Sequence, residues 1–275
     1  MKSYSFILFK LLVLLGHLSL ATACACYDFF YFVQTWPGSF PFQKNEAEEN
    51  FGIHGLWPMR NDGSYPSDCC NDELDMTTIQ ELKEKLDKEW PALSSLTNEA
   101  FWNHEWKKHG TCSKKELGRF KYFDTCLRLK DQTNILKKLE LKNIIANGSE
   151  YKKNDIEKAL RQGDAIPQLK CNNAAGYVQL EEVMFCVSKK KRKLIHCPIK
   201  IEETNITGEI KIPCTKDIKF PPYTQKKPPN NENIIISIIL SGKVYVVLAV
   251  LMFYIIIRLY RTPRTQDSRS NKKIN

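Results

Sequence analysis

The sequence predicts an α+β fold, because segments of strand character and segments of helix character are mixed without a regular βαβ alternation. Residues 27–37 are rich in aromatic and β-branched side chains and end at a Pro-Gly-Ser turn, which is typical of a buried strand. Residues 77–90 place apolar side chains at helical spacing and stop at Pro91. Two further amphipathic helices are predicted, over residues 120–139 and 153–162.

A β-hairpin is predicted near the end of the globular region. Residues 176–187 and 193–199 alternate in polarity on either side of the turn SKKKRK, and Cys186 and Cys197 lie one on each strand. No internal repeat is visible, so a single α+β domain is the simplest organisation.

Residues 1–25 have the pattern of a secretory signal peptide: a charged start, a short apolar run and small residues. Cleavage is expected after Ala23 or after Ala25. A permanent anchor helix is the alternative, and the shortness of the apolar run disfavours it.

Entry into the secretory pathway makes the ten cysteines interpretable as a disulfide framework. Structural zinc is not expected, because the chain contains no CxxC pair. The sequons at Asn147 and Asn205 are candidate glycosylation sites in the same compartment.

The C-terminal part of the chain departs from globular composition. Residues 223–233 form a linker rich in Pro, Asn and Lys, and residues 234–257 are apolar over a length that suits a transmembrane helix, interrupted by Lys243. The basic tail, residues 258–275, would then be cytoplasmic by the positive-inside rule. A single-pass membrane anchor is the expectation; the alternative is that this tail is not functional membrane sequence.

The formal charge of +10 does not by itself indicate a nucleic-acid binder. Residues 24–222 hold 30 lysines and arginines against 29 aspartates and glutamates, a net charge of +1. A local basic excess does occur over residues 107–130, where a solvated helix face explains it as well as a polyanion site does.

The segment FWNHEWKKHGTC, residues 101–112, concentrates groups that can do chemistry. On a helix, His104, Glu105, Lys108 and His109 form one stripe. Two histidines that share a zinc ion should be four residues apart, as in HExxH, whereas these are five apart and point about 140° from each other. No metal site is therefore predicted.

A second segment, FGIHGLWP at residues 51–58, places His54 between two glycines in apolar surroundings. Alone, such a histidine is more often a core residue than a catalytic one. If His54 faces the stripe, however, the site has two imidazoles for acid and base, a lysine and a carboxylate. That set suits phosphoryl transfer without a metal or cofactor.

Together these two segments closely resemble the signatures of the ribonuclease T2 family, particularly its plant members. The segments DFFYFVQTWPGSF, YPSDC and IHCPI are also similar to the family, so the resemblance extends over residues 27–222. It implies a central antiparallel sheet flanked by helices and stabilised by disulfides, with residues 26–222 as the catalytic domain.

The resemblance implies a secretory-pathway endoribonuclease, extracellular or vacuolar, that cleaves single-stranded RNA through a 2′,3′-cyclic phosphate to 3′-phosphate ends. His109 would be the base that deprotonates the ribose 2′-hydroxyl, and His54 the acid that protonates the leaving oxygen. Glu105 and Lys108 would stabilise the pentacovalent phosphate, and His104 would bind phosphate. DNA should be inert. RNA is the only partner expected besides the membrane, no cofactor is needed, and we expect a monomer.

Three more residues match positions that contact RNA in the family: Gln34, Trp57 and Phe101. Stacking on bases suits the two aromatic side chains. Ordinary core packing is an equally good explanation for Trp57 and Phe101.

The resemblance also implies three disulfides, which are Cys69–Cys112, Cys171–Cys214 and Cys186–Cys197. Cys24, Cys26, Cys70 and Cys126 are left unassigned, and Cys126 could be a small buried apolar residue. Plant relatives carry cysteines before the first signature, where this chain has FPFQKNEAEEN, so their N-terminal disulfide is not expected here.

The biological role is open between general RNA turnover or defence, which the segment NDGSYPSDC favours, and the self-incompatibility function of pistil ribonucleases. A catalytically inactive storage or RNA-binding protein on the same scaffold is the alternative of another class. The presence of His54, Glu105, Lys108 and His109 argues against it.

Overall fold

The computed structural model describes residues 26–40, 47–174, 176–199, 214 and 217–223. The predicted signal peptide, the sequon at Asn205 and residues 224–275 lie outside this part of the chain.

Seven strands form one sheet within the described residues. They are Phe29–Thr35 (β1), Gly52–Met59 (β2), Glu150–Lys152 (β3), Gln168–Ala174 (β4), Tyr177–Ser188 (β5), Leu194–Ile195 (β6) and Asp217–Lys219 (β7). β1 pairs with β2 on one side and β5 on the other, and β5 also pairs with β4, β6 and β7. Every pairing is antiparallel except the parallel bridge between Gln179 of β5 and Lys219 of β7. The predicted α+β class is confirmed.

β1 is the most deeply buried strand, since none of its seven residues is exposed. Its aromatic and β-branched side chains suit a strand that is covered on both faces. Phe30 and Phe32 pack with the helices, whereas Tyr31 and Val33 pack in a smaller cluster on the opposite face of the sheet.

In the described part of the chain, five α-helices accompany the sheet: Lys83–Glu89 (α1), Asn98–Lys108 (α2), Arg119–Thr133 (α3), Ile135–Glu140 (α4) and Lys153–Leu160 (α5). The predicted helix over residues 77–90 begins as a 3₁₀ helix, Met76–Leu82, and becomes α-helical only at Lys83.

The helix predicted over residues 120–139 is divided into α3 and α4 at Asn134. This residue has a φ of 35°, in the left-handed region that asparagine tolerates better than most residues. Apolar periodicity continues through the break, because α4 buries Ile135 and Leu139 as α3 buries Leu127 and Leu129. Periodicity alone therefore could not reveal it.

The helix-facing core contains the two tryptophans of α2. Trp102 and Trp106 are fully buried, and the Trp102 indole N–H donates to the carbonyl of Trp90 at 2.8 Å. Their packing fixes which face of α2 turns toward the sheet, and the stripe with Glu105 follows from that orientation.

The described residues form three disulfides, and they are the pairs that the resemblance implied: Cys69–Cys112, Cys171–Cys214 and Cys186–Cys197. Among the described residues, Cys26 and Cys70 are exposed free thiols, and Cys126 is a free thiol buried in the helix-facing core.

The expectation of a single-pass membrane anchor has to be corrected. Across the part of the chain that the structure describes, no helix has the length and apolar character needed to span a bilayer. Residues 234–257, on which the expectation rested, lie outside that part. The transmembrane assignment is therefore withdrawn.

The Cys69–Cys112 disulfide generates the first testable prediction. It closes a loop with a sequence separation of 43 and ties the segment after β2 to the end of α2. In the chain-entropy model, its removal in the double variant Cys69→Ala, Cys112→Ala should lower the free energy of unfolding by about 4 kcal/mol. Guanidinium unfolding followed by circular dichroism measures this change.

The neighbouring Cys70→Ala substitution is the matched control, because Cys70 is exposed and free. We expect it to change the unfolding free energy by less than about 0.5 kcal/mol. Equal effects of the control and the double variant would contradict a specific role for the disulfide.

Candidate active site

His54 lies in a β-bulge at the centre of β2. Gln34 of β1 pairs with Ile53 and Val33 pairs with Gly55, so no residue of β1 stands opposite His54. An extra residue of this kind bends its strand and re-aims its own side chain, as is common beside active sites. The imidazole of His54 is 31% exposed, whereas the flanking Ile53 and Gly55 are buried.

α2 supplies the other side of the site. The helix begins at an N-cap, Thr97, whose hydroxyl accepts the Ala100 N–H at 3.2 Å. It ends at Lys108, so His109 is the C-cap residue and its N–H donates to the Glu105 carbonyl at 3.0 Å. Glu105 and His109 are buried, with 2% and 4% of their surfaces exposed.

Trp57 connects the two sides. Its indole N–H donates to Glu105 Oε2 at 2.9 Å, and its ring stacks on His109 with a centroid distance of 5.1 Å and an interplanar angle of 24°. The other Glu105 oxygen, Oε1, lies 3.8 Å from His54 Nε2. Glu105 therefore lies beside one imidazole and is held by the tryptophan that packs on the other.

The two imidazoles have opposite electrostatic surroundings. Burial lowers the pKa of His54, but the charge and hydrogen bond of Glu182 and the charge of Glu105 outweigh burial and bring its pKa above the ordinary 6.5. Burial also lowers the pKa of His109. Here the nearby positive charges, with Lys108 first among them, act in the same direction and bring the pKa well below 6.5.

Glu105 is a third group with a shifted pKa. Burial raises its pKa above the ordinary 4.5, although the charge of His54 and the hydrogen bond from Trp57 oppose the shift. A buried carboxyl of this kind has a larger neutral fraction than one in water.

Four of the remaining predicted site residues differ from Glu105 and His109 in being partly or fully exposed. His104 is exposed and Lys108 is half-buried, and both lie close enough to Glu105 for their charges to lower its pKa. Phe101 is half-buried, with its ring centroid 5.8 Å from that of His54. Trp57 is half-buried too, so it both packs in the site and presents part of its ring to solvent.

Gln34 requires a correction. It is fully buried, and its amide N–H donates to the Thr133 hydroxyl at 2.9 Å on the helix-facing side of the sheet. Because successive strand residues point to opposite faces, the neighbouring Thr35 points the other way, towards His54. The Gln34 side chain thus lies on the face of β1 opposite to Thr35 and His54, and the RNA contact expected there does not fit its position.

An apolar cavity of ≈160 Å³ adjoins His54. Its lining consists of Thr35, Phe40, Gly52, Ile53, His54, Pro91, Leu93, Ser94 and Phe101. The sequence signatures include only some of these residues, since the loop after α1 contributes three of them.

Sequence reasoning also missed Glu182, a buried carboxylate of β5 whose Oε1 lies 2.5 Å from His54 Nδ1. Lys170 of β4 lies 3.2 Å from its other oxygen. The available signal was the pair Glu181-Glu182 within an otherwise apolar strand, which is an unusual position for two acidic residues.

Comparisons with known proteins agree with this geometry. A family profile described as the Ribonuclease T2 family matches residues 27–197. Ribonuclease 1 of Arabidopsis thaliana is 40% identical over 209 residues, covering 71% of this chain and 91% of the relative. Extracellular ribonuclease LE of Solanum lycopersicum is 38% identical over 210 residues, again with 71% and 91% coverage.

Among solved structures, RNase NT in complex with 5′-AMP superposes with a TM-score of 0.64 at 35% identity. The match covers 72% of this chain and all of that one. The fold and the sequence are thus both similar to those of ribonucleases.

Gly55 generates a prediction about the site. A Cβ at this position would lie 2.2 Å from Glu105 Oε2 and 2.5 Å from Trp57 Nε1. Gly55→Ala should therefore displace both side chains and lower kcat/KM on RNA by about 100-fold, as a shift of about 1 Å in a catalytic group can. Steady-state kinetics with an oligonucleotide substrate would measure the loss.

Gly118→Ala is the matched control, because a Cβ there meets no atom within 4 Å. It should retain kcat/KM within about 2-fold while thermal melts confirm that both variants fold. Full activity in Gly55→Ala would contradict the tight packing of Glu105 against β2.

Proposed function

We propose that this chain, which belongs to the ribonuclease T2 family and is an endoribonuclease, cleaves single-stranded RNA by metal-independent transesterification. The observation that carries the proposal is the opposite shift of two imidazole pKa values beside one buried carboxyl. Environments that drive two titratable groups apart in this way assign one as acid and the other as base.

In the first step His109, which is neutral near pH 7, accepts the proton of the ribose 2′-hydroxyl. The 2′-oxygen bonds to phosphorus, and the bond from phosphorus to the 5′-oxygen breaks. His54, whose raised pKa favours the charged imidazolium, gives its Nε2 proton to that leaving oxygen. The products are a 2′,3′-cyclic phosphate and a free 5′-hydroxyl, and DNA cannot react because it has no 2′-hydroxyl.

Lys108 and Glu105 would act on the phosphate itself. The ammonium of Lys108 can balance the charge that builds on the phosphoryl oxygens. A carboxylate would repel those oxygens, but the raised pKa of Glu105 increases the fraction of neutral carboxyl, whose O–H can donate a hydrogen bond to them. We place His104, exposed one turn before Lys108, as a further phosphate contact.

Hydrolysis of the cyclic phosphate would use the same groups in exchanged roles. His54, neutral after the first step, accepts a proton from water as it attacks phosphorus, and His109 returns its proton to the 2′-oxygen. The product then carries a 3′-phosphate.

The apolar cavity beside His54 would receive a base of the RNA. Phe101 and Phe40 offer aromatic faces, and Thr35 offers a hydroxyl next to the acid. Stacking is tolerant of base identity, which agrees with an enzyme that acts on many RNA sequences. On this ground, and from the segment NDGSYPSDC, we favour general RNA turnover or defence over a self-incompatibility role, and we propose that a monomer is the active form.

The acid and base assignments can be separated by the leaving group. His54→Ala and His109→Ala should each lower kcat on RNA by at least about 100-fold, the usual share of one proton-transfer group. On uridine 3′-(4-nitrophenyl phosphate), whose leaving group departs without a proton, His54→Ala should recover most of its activity. His109→Ala should stay impaired.

His196→Ala is the matched control, since His196 is exposed and directly follows β6. EDTA should leave the wild-type rate unchanged. Equal impairment of both site variants on the activated substrate would refute the assignment of His54 as the acid, and near-full activity on RNA in either would refute the two-histidine scheme.

The pH dependence of kcat/KM follows from the same assignments. His109 must be neutral, which holds above its lowered pKa, and His54 must be charged, which holds below its raised pKa. We therefore expect a bell-shaped profile with its acid limb below pH 6.5 and its alkaline limb above it. Two limbs on the same side of pH 6.5 would contradict the assignment.

A further inference from the structure

Glu182 stands in a row of polar side chains that crosses the sheet. Thr35 of β1 is its direct partner on one side, and Lys170 of β4 is its direct partner on the other. The bulge at His54 places that residue beside Gly52, the β2 partner of Thr35. Four adjacent strands thus contribute to one row beneath the cavity.

The contacts within this row hold Glu182 in one orientation. Its Oε1 accepts the Thr35 hydroxyl at 3.1 Å and lies 2.5 Å from His54 Nδ1. Its Oε2 lies 3.2 Å from Lys170 Nζ. Glu182 is 1% exposed, and a charge so deeply buried is retained only when it is paired and hydrogen-bonded.

A second bulge lies next to Glu182. Lys170 pairs with Glu182 and Cys171 pairs with Leu180, so no residue of β4 stands opposite Glu181. The irregularity on β5 and the one at His54 on β2 therefore flank the contact between Glu182 and His54. Bulges re-aim side chains, and here both act on the same pair.

His54 is surrounded by titratable groups from β5, β4 and α2 with its C-cap. Glu182 of β5 lies against Nδ1, and Glu105 of α2 lies against Nε2. The charge of Lys170 of β4 lowers the pKa of His54. His109 is near enough for the charge of His54 to lower its pKa in turn. Glu182 is the group with the shortest contact to His54.

We propose that Glu182 is a positioning residue for the acid: it accepts the Nδ1–H of His54 and so directs Nε2–H towards the leaving oxygen. The proposal rests on the proposed function, in which His54 is that acid. A hydrogen bond at one imidazole nitrogen selects which nitrogen is free for chemistry. The Thr35 hydroxyl holds the carboxylate oxygen that faces His54, and the charge of Lys170 opposes that of Glu182 at His54.

Every proton on His54 is accounted for in both steps of the proposed reaction. When Nε2–H is given to the 5′-oxygen, the proton on Nδ1 stays in its hydrogen bond to Glu182. His54 is left as the neutral Nδ1–H tautomer, with a lone pair on Nε2 that can accept the proton of water in the hydrolytic step. Glu182 remains a carboxylate, and its pKa of about 2, reached although burial raises it, agrees with that role.

Glu182→Gln tests the proposal, because it removes the charge and keeps the size. We expect kcat to fall by about 10-fold or more with KM nearly unchanged, and the alkaline limb of kcat/KM to move down by about one pH unit or more. NMR titration of the His54 ring protons should show the same downward shift in the free protein, without any substrate.

Glu181→Gln is the matched control. It is the adjacent carboxylate, 3.4 Å from the same Lys170 ammonium, and it is not among the groups that shift the pKa of His54, which are Glu182, Glu105 and Lys170. Both the alkaline limb and the His54 titration should stay where they are in the wild type. A structural role for Glu182 alone would lower stability or rate without moving either.

Lys170→Met provides an independent variant with the opposite sign. Lys170 opposes the charge of Glu182 at His54, so its removal should move the His54 titration to higher pH. This measurement decides the question if Glu182→Gln does not fold. A His54 titration unchanged in Glu182→Gln, or unchanged or lowered in Lys170→Met, would overturn the proposal.

The titration also separates this proposal from the proposed function. Retained RNA cleavage in His54→Ala would refute His54 as the acid and, with it, the catalytic purpose of Glu182. An unchanged titration beside an inactive His54→Ala would leave the acid in place and refute Glu182 alone.

Discussion

The register in which β2 pairs with β1 is the constraint on which the rest of the site depends. A slip by one residue would turn every side chain of β2 to the other face of the sheet and move His54 away from α2. The register is held from the helix side as well, because the Tyr122 hydroxyl of α3 donates to the Leu56 carbonyl at 3.0 Å. Gly55, one residue earlier, leaves room for Glu105, whose Oε2 would lie 2.2 Å from a Cβ at that position.

This arrangement gives the two imidazoles of one site pKa values that are shifted in opposite directions. Burial lowers the pKa of each and so disfavours its charged form. Only His54 touches a carboxylate at hydrogen-bond distance, however, whereas His109 stacks on Trp57 and has the ammonium of Lys108 nearby. The sheet therefore supplies the proposed acid with its negative partner, and the helix end leaves the proposed base without one. The difference between the two proposed roles lies in the surroundings of the imidazoles.

The sequence was informative where chemistry and periodicity coincide. The stripe on α2 was predictable because 3.6-residue spacing brings Glu105 beside the position of His109, and β1 was predictable from its aromatic and β-branched composition. The contacts of His54 were not, because they depend on a bulge and on Glu182, which is 128 residues away along the chain. Gln34 was assigned to the substrate side for the same reason: without the register, residues 34 and 35 cannot be given their faces. Pairing between distant strands is a tertiary property that local patterns do not encode.

One buried group of the site lowers the stability of the folded protein. Among the described residues, His109 Nδ1 has no hydrogen-bond partner although it is buried, and an unsatisfied group of that kind costs about 1–3 kcal/mol. A partner for Nδ1 would recover that free energy, but a carboxylate there would raise the pKa of His109 and leave it charged when it has to accept a proton. The same reasoning explains why the ionised Glu182 and Lys170 are placed under His54 and not under His109. Stability would be served by pairing both imidazoles, whereas the proposed proton transfer requires that only one be paired.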